Sequence, residues 1–254
     1  MSSFIETGHA KTVANFEKLI DYCEGYGTIY NPSKTTISLA SLKTLHNKAK
    51  EVLTAVNSNF PSYSNAIAAR EIAFAPLSKL ATRIINALKA TDTSDQVIDN
   101  ARTIIRKLQG RRASTKTKQA EVPTLENPEE VKIVLPIEPK EISASQMSFD
   151  SRIENLDKLI KLISSVPVYA PNEEELKIST LTALYNDLRV KNTAVIQAVV
   201  PISNARITRN EILYKEKTGL ADVALDVKAY VKSLFGATSP QFKQISKLSF
   251  RKEK

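Results

Sequence analysis

Side chains that carry redox or metal chemistry are scarce in this chain of 254 residues, which has one cysteine, two histidines and no tryptophan. A single cysteine excludes an internal disulfide, so a reducing cytoplasm is the expected compartment. It also leaves no cysteine pair for a structural zinc site. The chain has one Glu-x-x-His pair, Glu6 with His9, whereas a ferritin-like di-metal centre needs two, which argues against such a centre.

The sequence motifs of common catalytic sites are missing as well. The chain has no Gly-rich phosphate loop and no G-x-S-x-G elbow. Cys23 falls on the apolar stripe of a predicted helix, so it is predicted to be a core residue and not a nucleophile. We therefore expect no enzyme activity, no cofactor and no metal, with an enzyme of unrecognised type as the alternative.

Glycine is also rare, at 6 residues, whereas 42% of the chain is hydrophobic. Glycine destabilises a helix by about 1 kcal/mol per position, so a glycine-poor chain favours helix. Apolar runs stay below the roughly 18 residues that span a bilayer, so no membrane span is expected. The first eight residues lack the pattern of a secretory signal.

Much of the sequence occurs twice, at an offset of 139 or 140 residues. The best matches pair residues 15–20 with 155–160, Tyr30 and Pro32 with Tyr169 and Pro171, Ser64-Asn65-Ala66 with Ser203-Asn204-Ala205, Leu80-Ala81 with Leu220-Ala221, and Ile105 and Leu108 with Ile245 and Leu248. Solenoid units run at roughly 20 to 50 residues, so a repeat of this length indicates a duplicated domain.

The repeat predicts an all-α fold of two tandem duplicated antiparallel helical bundles joined by a Pro-rich linker. Each bundle is predicted to have about four helices, one of them long and kinked by proline. The predicted domains are residues 1–110, a linker at 111–150, and residues 151–254. At Pro61 and Pro201 a true turn is the alternative to a kinked, continuous helix.

Apolar residues at helical spacing define the predicted core of each first helix. These stripes are Val13, Phe16, Leu19, Ile20 and Cys23 in the first repeat, and Ile153, Leu156, Leu159, Ile160 and Ile163 in the second. Pro32 and Pro171 follow these helices and disfavour helix at the residue before them, so the long helices are predicted to start beyond them, near residues 33–37 and 172–176. The rings of Tyr30 and Tyr169 are expected to pack under these connections, with each hydroxyl reaching a loop carbonyl.

The predicted linker holds four of the 11 prolines and changes from basic to acidic along its length. Within it, residues 131–137 are apolar and β-branched. Exposure of these apolar side chains to water is unfavourable, so docking along a helical groove is favoured over a free tether.

Several polar residues recur at matching positions: Asn47 and Asn186, Asn65 and Asn204, Arg70 and Arg209, and Glu71 and Glu211. Asparagine is a mediocre helix former, so its presence inside helices favours hydrogen bonds between helices. Inheritance from the duplication and a ligand site are the alternatives.

The net charge is +9, and two basic stretches are the candidate contacts for nucleic acid. They comprise Arg102, Arg106, Lys107, Arg111, Arg112, Lys116 and Lys118, and then Lys243, Lys247, Arg251 and Lys252. Cations at helix C-termini also complement the helix dipole, which accounts for several of them. A mobile basic extension would instead bind phosphates without sequence preference.

The order Tyr-x-Pro, a long Leu-rich helix, Ser-Asn-Ala and a capped last helix resembles uncharacterised tandem helical proteins with the same two-unit layout. Residues 88–92 and 168–173 carry this resemblance, which covers both repeats. It implies the two-unit architecture and no activity.

These observations predict a non-enzymatic cytoplasmic scaffold or assembly protein that binds protein partners through its helix faces, including further copies of itself. Two similar surfaces on one chain gain avidity from effective concentration. The alternative is a nucleic-acid-binding or nucleoid-associated protein without sequence preference.

Overall fold

A computed structural model describes residues 3–111 and 147–250, with side chains from residue 8 onward. These residues contain helices and no strand, which confirms the all-α prediction. The α-helices are α1 (Ser3–Gly25), α2 (Leu39–Phe74), α3 (Leu77–Lys89), α4 (Asp95–Gln109), α5 (Phe149–Ser164), α6 (Ile178–Tyr214), α7 (Leu220–Phe235) and α8 (Pro240–Ser246). Most of the predicted linker, residues 112–146, lies outside the described residues, so the docking of residues 131–137 stays a prediction.

The long helices run through their prolines. Pro61 lies inside α2 and Pro201 inside α6, so a continuous helix is confirmed over a turn at both sites. Each long helix begins after a 3-10 turn, Thr35–Ile37 or Glu174–Leu176, slightly later than predicted.

The two connections before the long helices have the same internal contact. The buried Tyr30 hydroxyl donates to the Ile37 carbonyl at 2.7 Å, and the buried Tyr169 hydroxyl donates to the Leu176 carbonyl at 3.1 Å. This confirms the predicted role of both tyrosines. Burial raises the pKa of Tyr169 to about 12, with a smaller contribution from Glu173, so the phenol stays a donor at neutral pH.

The described residues divide into two compact units that do not follow the predicted domains. The first unit is drawn from Met1–Ala66 and Val195–Lys254, and the second from Ile67–Ala194. Their limits therefore differ from the predicted limits of 1–110 and 151–254. The physical reason is the choice of packing partner, because both apolar stripes pack against helices from the other predicted repeat.

In the first unit, α1 packs against α7, and the turn Thr35–Ile37 also contacts α7. The predicted stripe of α1 is buried in full and shares one core with Leu220, Val223, Val227 and Val231 of α7. Phe250 closes this core, where its ring meets Phe16 edge to face at 6.5 Å between centroids.

In the second unit, α4 packs against both α3 and α5, and α3 contacts the turn Glu174–Leu176. The predicted stripe of α5 is buried and shares a core with Leu77, Ile84 and Leu88 of α3 and with Ile105 and Leu108 of α4. The α4 end is capped by Gly110 in the left-handed conformation, φ 66°, which only glycine adopts at little cost.

The offset between the two predicted repeats differs from its predicted value at α3 and α7. Residues 77, 81, 84 and 88 of α3 are buried with the same spacing as residues 220, 224, 227 and 231 of α7, an offset of 143. The predicted match of Leu80 with Leu220 is therefore displaced by three residues. The extra length lies in the turn after α6, where Lys217 adopts a left-handed conformation with φ 65°.

Candidate functional site

Cys23 is a core residue, as predicted from its position on the α1 stripe. It is fully buried. Burial raises the pKa of its thiol to about 12, and a hydrogen bond with Tyr30 acts weakly in the opposite direction. The thiolate is the nucleophilic form, so this side chain is inert at neutral pH.

Both histidines belong to the first unit, and both are buried. His9 Nδ1 lies 2.6 Å from the hydroxyl of Tyr214, and His46 Nε2 lies 4.0 Å from Oε1 of Glu17. Within residues 3–111 and 147–250, no three His, Cys, Asp or Glu side chains are grouped as a metal site would require. His9 therefore has a hydrogen-bond partner in the core, whereas Nε2 of His46 is buried without one among the described residues.

His46 makes the stability of the protein sensitive to pH. Burial lowers the pKa of His46 below its ordinary value of 6.5; Glu17 and Asp21 oppose this shift, and Lys50 adds to it. The unfolded chain therefore binds a proton at a higher pH than the folded chain does, so stability falls as pH drops below about 6.5.

We predict that replacing His46 by tyrosine, the residue at the matching position 185, removes this part of the pH dependence. Urea unfolding at pH 7.5 and pH 5.5 measures it: the wild type should lose more stability between the two values than H46Y does. Equal losses in the two proteins would contradict the prediction.

An open pocket of about 450 Å³ lies in the second unit beside the connection before α6. Its charged lining residues are Arg83 from α3 and Glu173 from the connection, and Asn86, Asn172 and Thr91 add polar groups. Arg83 is already engaged, since its guanidinium donates to Glu175. The pocket offers hydrogen-bonding groups but contains neither a histidine nor a cysteine among its lining residues.

The described part of the two basic stretches falls in different units. Arg102, Arg106 and Lys107 lie on α4 of the second unit, whereas Lys243 and Lys247 lie in the first. Arg102 pairs with Asp99 at 2.6 Å, and Arg106 donates to Thr103 at 3.4 Å. Lys107, Arg111, Lys243 and Lys247 are exposed, and Arg112, Lys116, Lys118, Arg251 and Lys252 lie outside the described residues.

The matching asparagines occupy exposed positions. Asn47 and Asn65 on α2 and Asn186 and Asn204 on α6 all point to solvent, as do Glu71 and Glu211. Two other asparagines bond to distant parts of the chain, one to the segment after α8 and one to a helix. Asn15 on α1 donates to the Ser249 carbonyl at 3.0 Å, and Asn192 on α6 donates to Asp150 on α5 at 2.7 Å.

Arg70 in the second unit and Arg209 in the first each make contacts within their own unit. The Arg70 guanidinium lies 3.8 Å above the ring of Phe149 and donates to Asn192 at 3.1 Å. Arg209 is buried and donates to Asn210. The bonds of Asn192 to Arg70 and Asp150 were not predicted from the sequence. Asn15 and Asn155, which are also buried, do fall at matching positions of the two predicted repeats.

Exposed, uncharged stretches of the two long helices are the most unusual surface of the first unit. We call residues 52–66 of α2 and 195–205 of α6 the neutral segments; neither contains a charged residue. Their exposed apolar side chains are Phe60, Ile196, Val199 and Val200, and Ile196 is 57% exposed. A helix face that meets only water usually carries charged residues, so these segments depart from the expected pattern.

Proline adds hydrogen-bond acceptors to each neutral segment. Pro61 and Pro201 have no N–H group, so the carbonyls of Asn57 and Gln197 cannot receive the usual helical bond from them. All four residues are exposed. Each neutral segment therefore combines apolar side chains, amide and hydroxyl groups and a backbone carbonyl that lacks its usual helical donor.

Comparison with models of protein families, with curated protein sequences and with solved structures gives no match for this chain. Every helix within the described ranges is too short or too polar to cross a lipid bilayer.

Proposed function

We propose that this chain is a non-enzymatic cytoplasmic scaffold that binds protein through its long helices, and that the neutral segments form the contact. The single observation that carries the proposal is the exposure of Ile196, Val199 and Val200 on a stretch of α6 without charge. Burying such side chains removes apolar surface from water and desolvates no ion.

The partner that fits these segments best is a second copy of the chain. With a net charge of +9, two copies repel one another wherever their charged surfaces meet. The neutral segments are a surface at which two copies can approach without opposing like charges. Their amide, hydroxyl and carbonyl groups supply both donors and acceptors, so one segment complements another of the same kind.

The predicted duplication supports a scaffold role. Residues 55–65 and 195–205 occupy matching positions in the two repeats, each centred near a proline. A chain with two similar binding segments links partners with an avidity set by effective concentration.

Replacing Ile196 and Val200 by lysine tests this proposal. Each buried aliphatic side chain contributes about 1.5 kcal/mol or more, so I196K/V200K should weaken self-association at least about tenfold. Sedimentation velocity over a range of concentrations measures it. L225K/L234K is the matched control, because Leu225 and Leu234 are 44% and 37% exposed on α7 of the same unit and the two substitutions add the same charge.

A wild-type chain that stays monomeric at high micromolar concentration would contradict self-association. The nucleic-acid alternative is tested on the same preparation by filter binding against salt. Phosphate neutralisation predicts tight binding to duplex DNA that weakens steeply as salt rises, whereas a protein scaffold predicts no binding.

A further inference from the structure

Each compact unit combines the first half of one predicted repeat with the second half of the other. The first unit joins α1 to α7 and α8, and the second joins α3 and α4 to α5. The apolar stripes alone do not dictate this choice, because the buried positions of α3 and α7 have the same spacing. The inference that follows rests on the predicted duplication and does not depend on the proposed function.

The ion pairs between the matching elements have opposite polarity in the two units. In the first, Lys34 beside the turn Thr35–Ile37 contacts Asp226 of α7, with 2.5 Å between Nζ and Oδ2. In the second, Glu175 in the turn Glu174–Leu176 contacts Arg83 of α3. Arg83 and Asp226 are 143 residues apart, the offset that aligns α3 with α7. The connection is thus basic and the helix acidic in one unit, and the reverse holds in the other.

We infer that these reversed charges, together with the ring contacts beside them, select the half of the opposite repeat as packing partner. If each repeat closed on its own second half, Lys34 would face Arg83 and Glu175 would face Asp226. Both contacts would then bring like charges together, whereas the observed pairing satisfies both.

The buried ring contacts favour the same choice. His9 and Phe149 are 140 residues apart, as are Phe74 and Tyr214. His9 contacts Tyr214 through a hydrogen bond, whereas Phe149 meets Phe74 edge to face at 4.8 Å between centroids. Closure of each repeat on itself would set His9 against Phe74, so His9 would lose its bond to the Tyr214 hydroxyl.

The cation above Phe149 is a third difference between the two units. Arg70 lies over this ring, whereas the residue 140 positions later is Asn210, and the neighbouring Arg209 is bonded to Asn210. The exposed ion pairs are individually weak, so most of the selectivity resides in the contacts of the buried His9 and the partly buried Phe149. The ion pairs nevertheless give the clearest test, because their signs can be exchanged without altering the core.

Exchanging the charges of the two connections in the full chain tests the inference. Reversal of two exposed pairs in K34E/E175K should lower the melting temperature by about 2 to 6 °C at low salt. The quadruple variant K34E/E175K/R83E/D226K restores opposite charges and should regain the loss. A quadruple variant no more stable than the double one would overturn the role of charge.

Zero-length carbodiimide cross-linking of the wild type, followed by peptide mapping, tests the pairing without any substitution. The expected product is an amide between Lys34 and Asp226 within monomeric chains. In R83K, the introduced lysine should likewise link to Glu175. Absence of the Lys34 product would overturn the inference, because Lys34 would then not face Asp226. Its presence only in cross-linked dimers would also overturn it, because the second half would then come from another chain.

Discussion

Replacing Phe16 by alanine lowers the free energy of unfolding by about 3 to 5 kcal/mol, the usual cost of removing a large ring from a packed core. Phe16 is fully buried at the centre of the first unit. Its ring meets Phe250, and the same core contains Val227 and Val231 of α7. The substitution leaves a cavity that these neighbours fill only in part.

Urea unfolding of F16A measures this effect, and Phe60→Ala is the matched control. The ring of Phe60 is 50% exposed on α2, so the same chemical change should alter stability by less than about 1 kcal/mol. Equal losses in the two variants would show that Phe16 is not a core residue.

Replacing Gly219 by alanine is the second change with a large expected effect on stability, because the backbone of Lys215 approaches Gly219 closely. A Cβ atom on Gly219 would lie 2.6 Å from the Lys215 nitrogen and 2.7 Å from the Lys215 carbonyl oxygen. The Gly219 amide also donates to that carbonyl at 2.7 Å, which closes the turn before α7. We predict that Gly219→Ala costs about 1 to 3 kcal/mol, as forced overpacking does.

Gly25 provides the control for this prediction. A Cβ atom there would meet nothing within 4 Å, and Gly25 ends α1. Gly25→Ala should therefore be neutral or stabilise the protein by up to about 1 kcal/mol. Thermal unfolding of both variants gives the comparison, and a G219A protein as stable as the wild type would contradict the close approach.

Local patterns were enough to predict the helices and their buried faces. All five residues of the predicted α1 stripe are buried, and so are all five of the predicted α5 stripe. Both tyrosine contacts were also predicted from position. These features depend on periodicity and on turn residues close in sequence, so a single chain reveals them.

The choice of packing partner could not be read in the same way. The two predicted repeats present similar apolar stripes, so either pairing satisfies the hydrophobic pattern. The deciding contacts, such as Lys34 with Asp226, join residues far apart in sequence. The shift at α3 and α7 was missed because Leu80-Ala81 and Leu220-Ala221 match as letters, although the buried positions match at a different offset.

The candidate site was only partly accessible from sequence. Matching positions drew attention to Asn65 and Asn204, which are exposed on the neutral segments and not bonded within the core. The lack of charge around Pro61 and Pro201 is visible in the sequence but does not by itself indicate a binding surface. The exposure of the neutral segments makes their lack of charge informative, because an uncharged stretch of helix is ordinary inside a core and unusual on a surface.

The central claim is that each compact unit takes one half from each predicted repeat, and native-state hydrogen exchange of F16A tests it most directly. A cavity at Phe16 should loosen the elements that share its core, so amides of α7 should exchange faster while those of α3 and α4 keep their protection. Faster exchange in α3 and α4, with α7 unchanged, would mean that residues 1–110 fold on themselves and would contradict the account.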